Sequence, residues 1–346
     1  MIVTFTANPS LDRTVALPGP LERGEVQRAV SVRQESGGKG VNVSRALVAS
    51  GLESLAVLPG ADSDPVLAGL RESAVPFVSL PIDEPLRTNV ALTEPGGVTT
   101  KINEPGPILA ADQQEALIKL LLESSRGAGW VVLAGSLPPG FPDNFYATVA
   151  RRIREAGNGT APLIAVDSSG APLAAALADA GTPDDGTGAG GTGTGGGTTT
   201  RSGKPDLLKP NAEELAELAA AAGFPPASGD ELEADPAAAA AAAAAVVRSG
   251  VGAVLATLGS KGAVLVTADG AWLATHPPVA AVSTVGAGDS ALAGYLLAHG
   301  RGAAPADCLR QAVAHGAAAA SLPGSTVPAV NQTTPDAVTI TALRKD

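Results

Sequence analysis

The chain of 346 residues carries a formal net charge of −11, and 45% of its residues are apolar. The length suffices for one large α/β domain or two ordinary domains, and the acidic balance argues against nucleic acid or an anionic membrane as a partner. The single cysteine, Cys308, excludes a disulfide framework and a cysteine-based zinc site. No basic leader and no apolar run of transmembrane length is present, so we expect a soluble, cytoplasmic protein.

The first predicted strand, residues 2–6, runs into a polar segment that contains Asp12. Open α/β sheets bind ligands beyond the carboxyl ends of their strands, which makes Asp12 a candidate substrate contact. A carboxylate that merely caps the loop is the alternative. Residues 13–35 then hold short alternating segments, such as 14–17 and 26–32, which predict strands exposed on one face.

A glycine-rich segment around Lys39 precedes a predicted helix over residues 41–50. Three glycines let the backbone approach a ligand closely, and the lysine ammonium supplies positive charge. The segment is not a Walker A loop, because no Gly-Lys-Ser/Thr follows the required spacing. A flexible turn with a solvated lysine is the alternative.

The next segments predict a βαβ unit and then a hairpin. Strand, helix and strand are predicted over residues 55–58, 62–73 and 77–80, and the hairpin strands over 87–93 and 98–103. Arg87 and Lys101 lie near the two open ends of the hairpin, where both could contact one anion. Solvated side chains are the alternative.

From residue 111 onward, helices and strands alternate. We predict a helix over 112–125, a strand over 130–134, a helix over 143–156 and a strand over 163–167, with polar loops at 135–140 and 168–170. Repeated β–loop–α units predict a mainly parallel, doubly wound sheet with its functional loops at one edge.

Residues 181–203 interrupt this pattern. Ten of these 23 residues are glycine and seven are threonine, a composition that cannot bury enough surface to fold, so we predict a disordered insertion. It contains a literal G-x-G-x-x-G at 188–193. Because no strand precedes that motif and no helix follows it, it does not predict a dinucleotide site.

Asn211 and Glu214 open the next predicted helix and share one face of it. Their oxygens suit the water shell of a metal bound to phosphate, but a capping box uses nearly the same spacing, and both interpretations stay open. Nine consecutive alanines then predict a helix over 237–245. The remaining predicted elements are a strand over 253–258 with the glycine-rich turn 259–262, a hairpin over 263–267 and 271–275, and a helix over 305–320.

Residues 283–290 place two glycines and Asp289 directly before an apolar helical run. The backbone N–H groups of such a turn, with the helix dipole, suit an anion. A carboxylate beside an anion site indicates phosphoryl transfer, which depends mostly on positioning and charge stabilisation. The alternative is a plain glycine turn with Asp289 as a helix N-cap. The motif also fits G-x-G-x-x-A, but no βαβ unit follows, which argues against an oxidoreductase.

Together these motifs resemble the PfkB (ribokinase-like) family of carbohydrate kinases. The segment 37–42 is similar to the N-terminal motif of that family and 283–289 to its C-terminal motif. The segments 6–12 and 135–140, and Lys209-Pro210-Asn211 with Glu214, are similar to the hexose-phosphate branch. The resemblance covers most of the chain except the insertion and the alanine tract.

The resemblance implies a doubly wound three-layer αβα sandwich with a small β-sheet lid. The main domain comprises residues 1–12, 36–86 and 105–346, and the lid comprises 13–35 and 87–104. The implied reaction uses ATP and Mg²⁺ to phosphorylate a sugar phosphate. The implied partners are that small molecule and a second subunit, in a homodimer formed through the lid, with no nucleic acid and no membrane. A catalytically inactive sugar-phosphate sensor on the same fold is the alternative, against which the intact Asp289 turn argues.

The resemblance also assigns roles to individual residues. Asp289 is the general base, and the backbone of Gly286, Ala287 and Gly288 stabilises charge on the transferred group. Substrate contacts fall on Asp12, Gly38, Asn42, Asn103 and Ser136, and the phosphate of the sugar on Lys39, Arg87 and Lys101. Nucleotide contacts fall on Lys209, Asn211, Thr257, Gly259, Ser260, Lys261, Gly262 and His315, and Mg²⁺ on Asn211 and Glu214 through water. The three histidines otherwise lack ligand spacing, which favours structural roles.

Overall fold

The computed structural model describes residues 1–157, 161–177 and 203–343. Within them the strands are β1 (Ile2–Phe5), β2 (Ser10–Ala16), β3 (Ser31–Gly37), β4 (Ser54–Pro59), β5 (Phe77–Leu80), β6 (Arg87–Thr93), β7 (Thr99–Asn103), β8 (Trp130–Ala134), β9 (Leu163–Asp167), β10 (Leu207–Leu208), β11 (Ala253–Thr257), β12 (Ala263–Thr267), β13 (Ala271–Thr275) and β14 (Thr339–Leu343). The predicted insertion at 181–203 lies outside the described residues except for Gly203.

The described residues form ten α-helices. They are α1 (Lys39–Ala49), α2 (Pro65–Glu72), α3 (Ala111–Ser124), α4 (Phe145–Ala156), α5 (Gly170–Ala175), α6 (Ala212–Ala221), α7 (Gly229–Ala234), α8 (Pro236–Arg248), α9 (Ala287–Gly300) and α10 (Pro305–Ala320). No helix among the described residues is both long and apolar enough to cross a membrane.

Ten strands form one large sheet in the order β14-β13-β12-β11-β10-β9-β8-β1-β4-β5. The seven neighbouring strands β11, β10, β9, β8, β1, β4 and β5 run parallel to one another. The strands β12, β13 and β14 continue the sheet in antiparallel pairs. Helices α1, α9 and α10 pack on one face and α2 to α8 on the other. This arrangement confirms the predicted doubly wound αβα architecture.

Burial on both faces explains why the central strands are continuously apolar. In β1, Val3 and Phe5 point into the core on the α2–α8 side, whereas Ile2 points into the core on the other side. Helix α9 is buried around its whole circumference from Asp289 to Ala298, because it lies between the sheet, α1 and α10. The first turn of α9 is thereby fixed in the core at the sheet edge.

The other four strands form a separate small sheet in the order β3-β2-β6-β7. Its register places Asp12 opposite both Glu35 and Asn89, and Ser10 opposite Arg87. Residues opposite one another share a sheet face, so these polar side chains form the inner face of the small sheet. The segments 13–35 and 87–104, predicted to form the lid, supply most of these strands, but β2 and β3 also include residues 10–12 and 36–37, which were predicted to belong to the main domain.

Two predictions at the start of the chain are wrong in detail. Asp12 lies within β2 and not in a loop, because β2 already begins at Ser10. The segment 26–32 is a strand only from Ser31, because its partner β2 ends at Ala16, just before Pro18. The sequence pattern also failed to predict α5, α7 and β14.

Candidate active site

Three helices begin at the edge of the large sheet where β1, β9 and β10 end. The first residue of α1 is Lys39, and its ammonium lies 2.7 Å from the Asp167 carboxylate at the end of β9. The same ammonium lies 3.8 Å from Glu214 in the first turn of α6. Asn42, one turn along α1, donates a hydrogen bond to Asp289 in the first turn of α9. Side chains distant in sequence are thus assembled at one point.

The turn before α9 has the geometry of an anion site. Gly286 has φ 75°, which favours glycine, and no side chain caps the first turn of the helix. Asp289 is not the N-cap, so that alternative is wrong: its carboxylate instead accepts a hydrogen bond of 2.9 Å from the Asn42 amide. The Ala287 N–H donates to the Thr284 carbonyl at 3.4 Å, whereas the N–H groups of Gly288 and Asp289 stay available to an anionic ligand.

Asp289 is 7% exposed, and its environment disfavours the charged form. Burial, and then the nearby negative charge of Asp167, raise the pKa of Asp289 to about 6. Lys39, the Asn42 hydrogen bond and Lys209 act in the opposite direction. A carboxylate with such a pKa is a stronger base than an exposed aspartate, while still mostly ionised at neutral pH.

Asp167 is a site residue that sequence reasoning missed. The carboxylate is fully buried and lies between two ammonium groups, Lys39 at 2.7 Å and Lys209 at 3.0 Å. Burial alone favours its protonated form, but Lys209 and Lys39 lower the pKa of Asp167, so it stays charged. Burial opposes a charge on Lys39 as well, yet Asp167 and Glu214 raise the pKa of Lys39 above its ordinary value. A polar residue that directly ends a buried strand was the available signal.

Asn211 and Glu214 form a capping box at the start of α6. The Asn211 N–H donates to Glu214 Oε2 at 2.9 Å, and the Glu214 N–H donates to Asn211 Oδ1 at 2.8 Å. Among the described residues no group of three His, Cys, Asp or Glu side chains could hold a metal directly. The pair does fit a metal held through water, because Glu214 Oε1 takes no part in the cap and outer-sphere contacts need only acceptors.

The small sheet contributes a second group of polar side chains. Asp12 accepts hydrogen bonds from Ser10 and Asn89, and burial, opposed by those bonds and by Arg87, raises its pKa. Arg87 donates to the Glu104 carbonyl at 3.1 Å and to Ser136 Oγ at 3.5 Å. Burial lowers the pKa of Arg87, partly offset by Asp12 and Glu104.

Polar atoms without a protein partner occur in this second group. Arg87 Nε and Asn89 Oδ1 are buried and unpartnered among the described residues. An unsatisfied buried donor or acceptor is costly, and such atoms are expected to be satisfied by a ligand. Asn89, like Asp167, was missed by sequence reasoning.

The remaining predicted substrate residues divide into two sets. Gly38, with φ 110°, packs so closely on the end of β1 that a Cβ would meet Thr6 at 2.8 Å. Lys101 and Asn103 are exposed on β7. The register puts them on the same sheet face as Arg87, with Asn103 opposite Asn89 but Lys101 opposite Ala91, four residues along β6 from Arg87. Lys101 is therefore not brought into contact with Arg87.

A cavity of about 840 Å³ adjoins the start of α9. It is lined by six of the predicted nucleotide contacts, Asn211, Thr257, Gly259, Ser260, Lys261 and Gly262, and by Ala287 and Gly288 of α9 and Val313, Gly316 and Ala317 of α10. Lys209 and His315 are not among its lining residues. Lys209 is buried against Asp167, and the fully buried His315 contacts Ser50 and Gln311. Glu213, Asp230 and Glu233, which also line it, were not predicted.

A helix start with free N–H groups, a buried carboxylate of raised pKa and an adjoining cavity of about 840 Å³ suit phosphoryl transfer, since that chemistry depends on placing charge. The molecule is of the class of small-molecule phosphotransferases with a ribokinase-like α/β fold. More particularly, the chain belongs to the pfkB family of carbohydrate kinases, whose model matches residues 6–183 and 198–332. It is therefore a phosphotransferase that acts on a sugar hydroxyl, and the resemblance drawn from its motifs is confirmed.

Individual relatives carry phosphofructokinase names. The 1-phosphofructokinase of Xanthomonas campestris pv. campestris is 34% identical over 299 residues, 86% of this chain and 83% of that protein. The ATP-dependent 6-phosphofructokinase isozyme 2 of Mycobacterium tuberculosis is 31% identical over 327 residues, 94% of this chain and 85% of that protein.

Solved structures show the same likeness. Phosphofructokinase-2 from Escherichia coli in complex with substrates and products has a TM-score of 0.78 at 28% identity, over 96% of each chain. The ribokinase of Thermotoga maritima, at 17% identity and a TM-score of 0.68 over 96% of this chain and 97% of that chain, shares the fold.

Proposed function

We propose that this protein transfers the γ-phosphoryl group of ATP to O6 of fructose 1-phosphate, giving fructose 1,6-bisphosphate and ADP. Asp289 accepts the proton of the O6 hydroxyl as the bond between O6 and the γ-phosphorus forms. The bond from that phosphorus to the β–γ bridging oxygen breaks, and ADP leaves with the electron pair. The N–H groups around Gly288 stabilise the negative charge on the transferred group.

The half-buried guanidinium of Arg87 is the observation that carries the choice of an anionic sugar. It lies beside Ser136 and near the Asp12 carboxylate, and its buried Nε–H has no protein partner among the described residues. A neutral sugar needs no such cation. The oxygens of a phosphate group, in contrast, can accept two parallel hydrogen bonds from the planar guanidinium of arginine. The Lys39 ammonium instead lies on the Asp289 side of the proposed site, because it pairs with Asp167 at 2.7 Å and lies near Glu214 and Asp289.

The cavity supports ATP as the donor. Lys261 supplies positive charge at one wall, where the N–H groups of Gly259 and Ser260 are also available, and α10 supplies small apolar side chains at another wall. Mg²⁺, when held through water by Asn211 and Glu214, supplies positive charge beside the donor phosphates.

A 6-phosphohexose, fructose 6-phosphate or tagatose 6-phosphate, is the second candidate substrate. The relative from Mycobacterium tuberculosis, named a 6-phosphofructokinase, favours it. These sugars and fructose 1-phosphate are furanoses with a primary carbon at each end of the ring. One pocket can therefore hold the phosphate at Arg87 and present the opposite primary hydroxyl to Asp289.

The test is an ATP-consumption assay with fructose 1-phosphate, fructose 6-phosphate, tagatose 6-phosphate and unphosphorylated fructose. We expect the highest kcat/KM with fructose 1-phosphate and the lowest with fructose. A preference for a 6-phosphohexose would transfer the proposal to the second candidate, and a preference for the neutral sugar would refute the role of Arg87.

An Arg87→Gln variant examines that role directly. The KM for the sugar phosphate should rise roughly 10- to 100-fold, because one charge-assisted hydrogen-bond pair is worth about 1.5–3 kcal/mol, and the KM for ATP should stay unchanged. Lys101→Gln, on the same sheet face but farther along the hairpin, is the matched control. An equal effect of both variants would indicate a diffuse electrostatic contribution and not a specific contact.

We further propose that two chains associate through the outer face of the small sheet. Val15, Val32, Val90, Leu92 and Ile102 alternate with the inner polar residues and therefore point away from the site. Val32 is 46% exposed and Ile102 is 56% exposed. The same face also carries Arg13, Gln34, Thr88 and Thr100, so its apolar residues form a stripe and not a continuous apolar surface. An exposed apolar stripe on a small sheet is expected to be covered by a partner.

A further inference from the structure

Arg45 lies one turn after Asn42 on α1 and reaches three acceptors from different parts of the chain. Its Nη1 atom donates to Asn42 Oδ1 at 3.4 Å, to the Ser36 carbonyl at 3.2 Å and to the Ser325 carbonyl at 3.2 Å. The side chain is only 12% exposed. No sequence motif singled out this residue, and it takes no part in the proposed reaction.

Glu35, on β3 of the small sheet, holds the other side of the Arg45 guanidinium. Its Oε1 lies 3.3 Å from Arg45 Nη2, and its Oε2 accepts hydrogen bonds from the N–H and the hydroxyl of Ser325 at 3.1 and 2.9 Å. The Thr326 hydroxyl donates to Oε1 at 3.4 Å. We call Glu35, Arg45, Ser325 and Thr326 the Arg45 cluster. It joins the small sheet, α1 and the segment that follows α10.

Asn42 connects this cluster to the base. Its amide nitrogen donates to Asp289 Oδ2 at 2.9 Å, while its amide oxygen accepts from Arg45. A guanidinium can only donate and a carboxylate can only accept, so a single orientation of the amide satisfies both. Rotation of that amide by 180° would break both bonds. Arg45 therefore specifies which end of Asn42 faces Asp289.

We propose that Arg45, fixed by Glu35 and Ser325, is a positioning residue that holds the Asn42 amide in the orientation that donates to Asp289. The inference rests on the proposed function, in which Asp289 is the base. It extends that function by linking the small sheet to the reacting carboxylate through two side chains. The position of the small sheet and the orientation of the base then depend on one set of hydrogen bonds.

The contacts require an arginine. The planar fork presents two nitrogens to acceptors on different sides, whereas a lysine ammonium is a single point on a flexible stem. An Arg45→Lys variant therefore keeps the charge but cannot reach Glu35, Asn42 and Ser325 together. We expect it to behave like Arg45→Gln and not like the wild type.

The first readout is the titration of the Asp289 carboxyl carbon by ¹³C NMR in protein labelled at aspartate, with the resonance assigned by its loss in Asp289→Asn. The charged groups that face Asp289 are Asp167 from the end of β9, Lys39 from α1 and Lys209 from the segment after β10, and all of them stay in place. The Asn42 hydrogen bond favours the charged carboxylate. Losing it in Arg45→Gln should raise the measured pKa of Asp289 by about one unit.

The second readout is kinetic. The acid limb of the kcat/KM profile should move to higher pH by the same amount, and kcat should fall about 10-fold. The KM for ATP should stay unchanged, because no residue of the Arg45 cluster lines the cavity proposed to hold ATP. Glu35→Gln, which loosens Arg45 without removing it, should shift both readouts in the same direction by less. It also keeps the inference testable if Arg45→Gln does not fold.

Arg154→Gln is the matched control. Arg154 pairs with Asp206 at 2.7 Å, with 10% and 18% of the two side chains exposed against 12% and 23% for Arg45 and Glu35. This pair lies at the amino ends of the strands, the opposite edge of the sheet. The control should lose comparable stability with the Asp289 titration unchanged.

An unchanged Asp289 titration in Arg45→Gln and Glu35→Gln would overturn the inference, as would an equal shift in Arg154→Gln. Because the NMR titration needs no turnover, it separates the two proposals. A wild-type protein without sugar-phosphate kinase activity would refute the proposed function, while the effect of Arg45 on Asp289 would still be measured.

Discussion

Asp289 combines two properties that a catalytic base needs. It is held by Asn42 in one orientation, and burial together with Asp167 raises its pKa to about 6. The two lysines near Asp167 limit that rise and keep the base ionised at neutral pH. Burial and Asp167 therefore provide the basicity, and the two lysines preserve the charge state, that the proposed reaction requires.

Replacing the base should abolish most turnover. We expect Asp289→Asn to lower kcat by roughly 10²- to 10⁴-fold, because the amide cannot accept the proton of the hydroxyl, with little change in either KM. In the wild type, kcat/KM should fall as the pH drops through about 6, where Asp289 becomes protonated. Steady-state kinetics from pH 5 to pH 9 measure both effects.

Asp269→Asn is the control for this variant, since Asp269 is exposed in the turn between β12 and β13. It removes the same charge without touching the site and should leave the profile unchanged. Turnover of Asp289→Asn within a few-fold of the wild type would rule out the proposed mechanism.

The raised pKa of Asp289 also has a consequence for stability. Because the folded state binds this proton more tightly than the unfolded state, whose value is near 3.8, keeping the carboxylate ionised costs folding free energy. The cost is absent below about pH 4 and fully present above about pH 6. Asp289→Asn should therefore be more stable than the wild type at pH 7.5, by on the order of 2 kcal/mol, and no more stable at pH 4.

Urea denaturation of both proteins at the two pH values measures this difference. A stability gain that is the same at pH 4 and pH 7.5 would point to packing and not to ionisation. No gain at pH 7.5 would show that the ionised Asp289 carboxylate does not destabilise the folded state.

At the scale of single elements, the start of α6 has two roles that one substitution can separate. Glutamine at the third helical position completes a capping box as well as glutamate does, so Glu214→Gln should keep the cap and change stability by less than about 0.5 kcal/mol. It removes the negative charge proposed to hold the hydrated metal. We therefore expect the Mg²⁺ concentration for half-maximal activity to rise several-fold, measured at saturating ATP.

Glu231→Gln is the matched control, because Ser228 and Glu231 form the same kind of box at the start of α7. This variant should leave the Mg²⁺ dependence unchanged. If Glu214→Gln also left it unchanged, the capping box and the charge near Lys39 would account for Glu214, and the water-mediated metal contact would be refuted.

The geometry of the candidate site was predictable where its residues lie in one contiguous motif. Lys39 and Asn42, or Gly286 and Asp289, are each brought together by a single turn of chain, so local spacing already contains their geometry. Asp167 was missed because its role arises from Lys39, 128 residues away, and from the order of the strands. Asn89 was missed for the same reason, since only the pairing of β2 with β6 places it beside Asp12.

The assignment of His315 illustrates a second limit. Helix α10 does line the large cavity, through Val313, Gly316 and Ala317. The helical period places His315 on the opposite side, against Ser50 of the neighbouring segment. An alanine-rich helix offers no hydrophobic contrast by which sequence could predict which of its faces packs inward.

At the scale of the whole molecule, the candidate site lies between two sheets that contribute different residues to it. The large sheet, covered by helices on both faces, fixes Asp289, the start of α9 and the cavity beside it. The small sheet supplies Asp12 and Arg87 on one face and leaves apolar residues on the other. A sheet of four strands with one uncovered apolar face gains stability by pairing that face with a second copy.

This arrangement predicts a dimer that a single charge should dissociate. The wild-type protein should show twice the mass of one chain by light scattering, and Val32→Asp should show the mass of a monomer, because a carboxylate in an apolar interface loses its hydration without gaining a partner. Ile108→Asp is the control, since Ile108 is 67% exposed but lies outside the small sheet. It should leave the dimer intact. A wild-type monomer across the accessible concentration range, or a Val32→Asp dimer as tight as the wild type, would place any subunit contact elsewhere on the molecule.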